Sequence, residues 1–162
     1  MRQKVRMINT QVLVYKKNFY KKVRGISDYC RFVVKTAYGT TAKNVEISLV
    51  LADDGFIKEL NSHYRQKDSP TNVLTFEMNE KLPDNTLMAG EIIISYETLA
   101  KEAKEQGKTF LAHLTHLLIH GVLHLKGMDH IIDSQAEKME QREIALLKKL
   151  GFPNPYANQE VI

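Results

Sequence analysis

Five of the six histidines in this chain of 162 residues fall within one 18-residue window: His113, His116, His120, His124 and His130. The segment carrying the first four is otherwise apolar (Phe110, Leu111, Leu114, Leu117, Leu118, Ile119, Val122, Leu123), which is the composition of a buried helix. Side chains four residues apart on a helix stack on one face, with Cβ atoms about 5–6 Å apart. Two imidazoles placed in this way can reach one ion at about 2.0–2.1 Å each. His120 and His124 meet that condition, and so do His116 and His120, so helical spacing alone does not choose the pair.

A third histidine helps to choose. After His124 the chain reads Leu-Lys-Gly-Met-Asp-His, and Gly127 can adopt positive φ and turn the chain out of the helix. That turn can return His130 over the face holding His120 and His124. The pattern, H-x3-H-x2-G-x2-H, is similar to the ligand spacing of the metzincin metalloproteases, with one decisive departure. Where those enzymes carry a general-base Glu after the first His, this chain has Gly121. Three neutral imidazoles favour zinc or another imidazole-binding transition metal over magnesium or calcium. Three protein ligands also leave a fourth position for water or substrate, which is hydrolase chemistry without a named substrate. His113 and His116 read as core or supporting residues, and His63 as a surface residue.

Composition narrows the classes further. A single cysteine, Cys30, excludes an intramolecular disulfide and a cysteine-rich zinc site, so a metal must rest on histidine and carboxylate. The N-terminal stretch lacks the apolar core of a signal peptide and no run of 18 apolar residues occurs, from which a cytoplasmic location is expected. The net charge of +4 hides an asymmetry: residues 1–44 hold 11 Lys/Arg and one acid (Asp28), residues 45–162 hold 12 Lys/Arg and 18 acids. A basic lobe on a mildly acidic body fits a polyanionic partner such as nucleic acid.

The elements that must position the histidines can be read from periodicity and punctuation. Residues 11–15, 45–51, 73–78 and 90–95 read as strands. The segment from about Lys17 to Tyr38, with apolar residues at three-to-four spacing, reads as one amphipathic helix. Further helices are expected up to about Arg65, over 96–106 behind a Ser95 cap, from Phe110 to Leu125 behind a Thr109 cap, and after a capping box at Ser134–Glu137. The expected fold is α+β: one domain over 1–162, with about four strands in a mixed sheet packed with four or five helices, including a zincin-like metal-binding helix. Residues 1–44 form its basic lobe and 156–162 a tail. Tyr15, Phe19, Tyr20 and Tyr29 lie among the basic residues, more as core and staple residues than as base-stacking ones.

A second constellation precedes the third strand: Tyr64-Arg65-Gln66-Lys67-Asp68-Ser69-Pro70-Thr71-Asn72. Arg65 offers a planar fork of donors suited to phosphate, and Lys67 a point charge. Taken together, LNSHYRQKDSPTNVLTF (60–76), GEIIIS (90–95) and HLTHLLIHGVLHLKGMDH (113–130) resemble, in order and spacing, the YbeY family of bacterial rRNA maturation factors. The resemblance covers roughly residues 45–155. Two small departures, Thr75 and Glu91, touch no presumed ligand.

The resemblance implies a zinc-dependent, single-strand-specific endoribonuclease acting in 16S rRNA 3′-end maturation and small-subunit quality control. It implies His120, His124 and His130 as ligands of one zinc ion and Arg65 as the functionally important arginine. Its implied partners are single-stranded RNA, including 16S rRNA, and the small ribosomal subunit with its assembly factors, without membrane or DNA. Two other functions are weighed against it. A ribosome-assembly factor with a structural zinc would need a fourth protein ligand, for which His116 and Asp129 are candidates. A metallopeptidase would need a glutamate from elsewhere, such as Glu91, to replace the missing base.

Overall fold

In the computed structural model, residues 6–157 are described; the first five residues of the basic lobe and positions 158–162 of the tail lie outside them. Four strands form one sheet in the order β1-β2-β4-β3: β1 (Ile8–Val14), β2 (Val45–Ala52), β3 (Val73–Lys81) and β4 (Leu87–Ser95). The pairs β1–β2 and β2–β4 are parallel, while β3 runs antiparallel to β4 as an edge strand, so the sheet is mixed as expected.

The two central strands explain their own sequences. A strand buried on both faces reads as a nearly continuous apolar run, and VEISLVLA and EIIIS are such runs. Because successive side chains point to opposite faces, Ile47, Leu49, Leu51, Ile92 and Ile94 enter the larger core. Val50, Ala52 and Ile93 enter a smaller one with Ile57 and Leu74. The larger core is covered by α2 (Ile26–Tyr38), α5 (Phe110–Leu125) and α6 (Asp133–Lys149). The smaller lies beneath α3 (Asp54–Arg65), with α4 (Tyr96–Glu105) following β4.

The helix expected over 17–38 is two helices, α1 (Asn18–Lys22) and α2. Val23 is extended and Gly25 is left-handed at φ +66°, so the apolar periodicity runs on through a backbone break. That division brings the described helices to six. Phe19 is fully buried and the Tyr29 hydroxyl is hydrogen-bonded to Thr115, while Tyr15 and Tyr20 are exposed. Both expected caps occupy their positions, but only Thr109 caps by its side chain, accepting from the Ala112 N–H at 3.0 Å. The Ser95 hydroxyl instead donates to Asp54 at 2.6 Å. Ser134 lies inside the first turn of α6, whose N-cap is Ile132, so no capping box forms there. No described helix is long and apolar enough to cross a membrane.

Two glycines set how closely α5 lies on the sheet. A Cβ at Gly121 would meet the Ile92 side chain at 3.0–3.3 Å, and one at Gly90 would run into the Phe76 carbonyl and the Leu125 side chain at 2.7 Å. Gly90 also has φ +153°, which L side chains rarely adopt. Gly90→Ala is therefore expected to cost about 2–4 kcal/mol, lowering Tm by roughly 5–15 °C in a thermal melt. An unchanged Tm would show that the sheet and α5 can separate freely at this point.

Candidate metal centre

His120 and His124 stand one turn apart near the C-terminal end of α5, and their Nε2 atoms lie 3.1 Å apart. Gly127, at φ +89°, turns the chain as its sequence position predicts. The turn brings the His130 ring to 5.0 Å from that of His124 and 5.6 Å from that of His120, centre to centre. One nitrogen from each of the three rings lies within 4.8 Å of the other two. Among the described residues no fourth side chain joins this group, so His116 and Asp129 are not part of it.

The donor set fits a metal ion. The His120 Nδ1–H donates to Glu143 Oε1 at 2.7 Å, which fixes the tautomer and leaves the Nε2 lone pair aimed at His124. Two ligands on one tetrahedral ion, each about 2.0–2.1 Å away, would lie about 3.3 Å apart, close to the observed separation. Burial, followed by the neighbouring His120 and His130 charges, lowers the His124 pKa to about 4. Its ring is therefore neutral near pH 7, the form that ligates. His130 is exposed and its neighbour Asp129 accepts from the His130 backbone N–H at 2.6 Å, fastening the turn that presents the third ring. The cluster is thus open on the His130 side. Cys30 is buried in α2, where burial pushes its thiol to about 12, consistent with a core residue.

Glu143 is the residue that spacing rules missed. Its side chain is 1% exposed, and its carboxylate accepts hydrogen bonds from His116 Nε2, His120 Nδ1 and the Tyr156 hydroxyl, the last at 2.6 Å. Burial acts to raise its pKa, but these three donors outweigh it and hold the carboxyl at about 2. A signal was present in the sequence: on α6, Glu143 falls among Met139, Leu146 and Leu147, at a position whose helical spacing calls for an apolar residue. Tyr156, from the segment first read as tail, carried no such signal. His113 is buried beside Glu102, with Nε2 at 3.3 Å from its carboxylate.

Arg65 closes α3. Its Nη2 donates to the Thr75 carbonyl at 3.0 Å and its guanidinium carbon lies 5.6 Å from the centre of the Phe76 ring. Among the described residues no hydrogen bond joins it to the histidines. The loop behind it is tied down by Asn61, whose Nδ2 donates to the Ser69 carbonyl at 2.9 Å. Lys67 is exposed.

Glu91 and Gly121 together remove the peptidase base. Glu91 pairs with Phe76, which packs in the smaller core, while its neighbour Ile92 faces α5, so Glu91 stands on the face of the sheet away from the histidines. At position 121 a side chain would be driven into Ile92.

A family model described as Endoribonuclease YbeY matches residues 9–151. A protein of Magnetococcus marinus named Endoribonuclease YbeY is 47% identical over 130 residues, covering 74% of this chain and 88% of that protein. A protein of Sinorhizobium fredii with the same name is 51% identical over 116 residues, covering 70% and 67%. Among solved structures, the solution structure of TM1509 from Thermotoga maritima aligns with a TM-score of 0.53 at 27% identity, covering 89% of this chain and 91% of that one.

Carboxylates behind ligating histidines usually contribute tenfold to a hundredfold to metal affinity. Glu143→Gln is accordingly expected to weaken zinc binding about 10- to 100-fold in competition with a chromophoric chelator, with the fold retained by circular dichroism. Unchanged affinity would separate Glu143 from the metal centre.

Proposed function

This chain belongs to the YbeY endoribonuclease family, and on that premise we propose that it is a zinc-dependent, single-strand-specific endoribonuclease. In this reading it acts as one domain in the cytoplasm, on the 3′ end of 16S rRNA, and serves quality control of the small ribosomal subunit together with its assembly factors. The observation that carries the metal-dependent part is the convergence of three imidazole nitrogens at a site open to solvent on the His130 side.

His120, His124 and His130 are the proposed ligands. Zinc held there supplies Lewis acidity toward a phosphoryl oxygen. Glu143 keeps the His120 ring oriented with Nε2 toward the ion, and Asp129 keeps the His130 turn closed. Arg65 spends one N–H on Thr75 and stacks on Phe76, which holds the guanidinium plane while leaving other N–H groups for phosphoryl oxygens. Its proposed role is to offset negative charge that grows on those oxygens as the bond breaks. Single-stranded RNA suits such a centre better than duplex, because its phosphates and bases are free to enter a groove.

A structural-zinc assembly factor is the second reading. It is weakened by the three-member donor group, since structural zinc is usually closed by four protein ligands.

The test is cleavage of a single-stranded RNA by nuclease-free protein of known zinc content. Wild type should carry about one zinc and cut; His124→Ala should lose both metal and cutting. Arg65→Ala should keep the metal and cut roughly 100-fold more slowly. A cyclic phosphate at the new 3′ end would report the RNA 2′-OH as nucleophile. Equal cutting by all three proteins would mark the activity as contamination and put the assembly-factor reading ahead.

A further inference from the structure

The face of α5 that carries the histidines does not end at the metal cluster. Thr109, Ala112, His113, His116 and His120 all line one cavity of about 960 Å³, so its lining runs from the N-cap of the helix to a proposed ligand. Asn72, Glu102 and the segment Phe152–Ala157 line it as well. That segment is held in place by Tyr156, whose hydroxyl donates to Glu143. The volume far exceeds what an ion and its waters need and falls in the range of organic ligand sites.

Lys108 also lines this cavity, next to the N-cap Thr109. Among the described residues its ammonium makes no ion pair and no side-chain hydrogen bond, although the side chain is only partly exposed. Burial lowers its pKa, partly offset by the charges of Glu102 and Glu143. A partly dehydrated cation that no carboxylate contacts directly is an arrangement that an incoming anion relieves.

Resting on the endoribonuclease reading, we propose that this cavity is a remote subsite for the RNA strand, in which Lys108 grips a backbone phosphate away from the scissile one. The helix sets the scale: eleven residues of rise separate Thr109 from His120, about 16 Å. The phosphate at Lys108 therefore belongs to a nucleotide further along the strand. Glu102 does not oppose this assignment. Its Oε2 already accepts from Asn72 Nδ2 at 3.0 Å and lies against His113, and its Oε1 suits an amino or imino N–H of a base edge. Pro153, Pro155 and Phe152 supply apolar surface for the base itself.

A contact made equally to bound substrate and transition state shows in affinity and KM rather than in kcat. The experiment compares wild type, Lys108→Ala and Lys108→Arg, each with measured zinc content and Tm. The binding probe is a fluorescent 2′-O-methyl oligoribonucleotide of about ten nucleotides, followed by anisotropy across salt concentrations. Lys108→Ala should bind roughly tenfold more weakly, and its slope of log affinity against log salt should be shallower by about 0.7, the loss of one phosphate contact on a single strand. Lys108→Arg should restore most of both. With cleavable RNA, Lys108→Ala should raise KM and leave kcat nearly unchanged, and with a dinucleotide the difference should vanish. Unchanged affinity and slope in Lys108→Ala overturn the subsite, as does a loss accompanied by lower zinc content that Lys108→Arg fails to repair. If the probe binds through Lys108 while wild type cuts no RNA, the subsite stands and the endoribonuclease reading falls.

Discussion

A carboxylate with 1% of its side chain exposed is tolerated only when donors replace the water it has lost, and the arrangement around Glu143 follows from that requirement. Its three donors come from two turns of α5 and from the segment after α6. One buried charge therefore fastens three parts of the chain at once. Leaving such a charge with its partners removed costs about 3–5 kcal/mol, so the α5–α6 pairing and the position of Phe152–Ala157 are coupled to the tautomer of His120. The same bonds that satisfy the carboxylate leave the His120 Nε2 lone pair free to meet a metal ion. Structure and chemistry here use one set of hydrogen bonds, since His116 and His120, which bond Glu143, also line the cavity.

The second constraint is distance. With Gly121 set against Ile92 and Gly90 against Leu125, α5 approaches the sheet more closely than a helix bearing ordinary side chains at these points could. This gives a steric account of why no glutamate follows His120. A side chain there would be driven against Ile92 in the larger core. The ligand spacing that resembles the metalloproteases thus belongs to a helix whose buried side is closed to their base.

Much of this was legible in the sequence because it rests on local rules. The α5 limits, the Thr109 cap, the Gly127 turn and the three converging histidines follow from periodicity, capping and glycine conformation, and each is found where expected. The break at Val23–Gly25 was hidden because the apolar spacing of Phe19, Val23 and Ile26 fits one helix, and only the backbone shows that Gly25 is left-handed. Ser95 and Ser134 carried cap-like spacing, but tertiary partners and the actual start of α6 overrode it. Glu143 and Tyr156 join α5 across 23 and 40 residues of sequence, and contacts of that kind have no local period. Only the misfit of a glutamate on an apolar stripe marked one of them.

The arginine loop and the histidine helix are fifty residues apart in sequence, yet both are referenced to the same short stretch of β3. An edge strand presents unpaired carbonyls, and Arg65 takes that of Thr75 while its guanidinium lies over Phe76. The Phe76 carbonyl in turn crowds Gly90 on β4, and Gly90 lies against Leu125, the residue after His124. Each step in this path is a backbone bond, a ring contact or a glycine-only approach, with little room for adjustment. A shift of β3 along β4 would therefore move Arg65 and the end of α5 together. Strand register, which a single residue of slip would invert, is what holds the Arg65 guanidinium in fixed relation to the imidazole cluster.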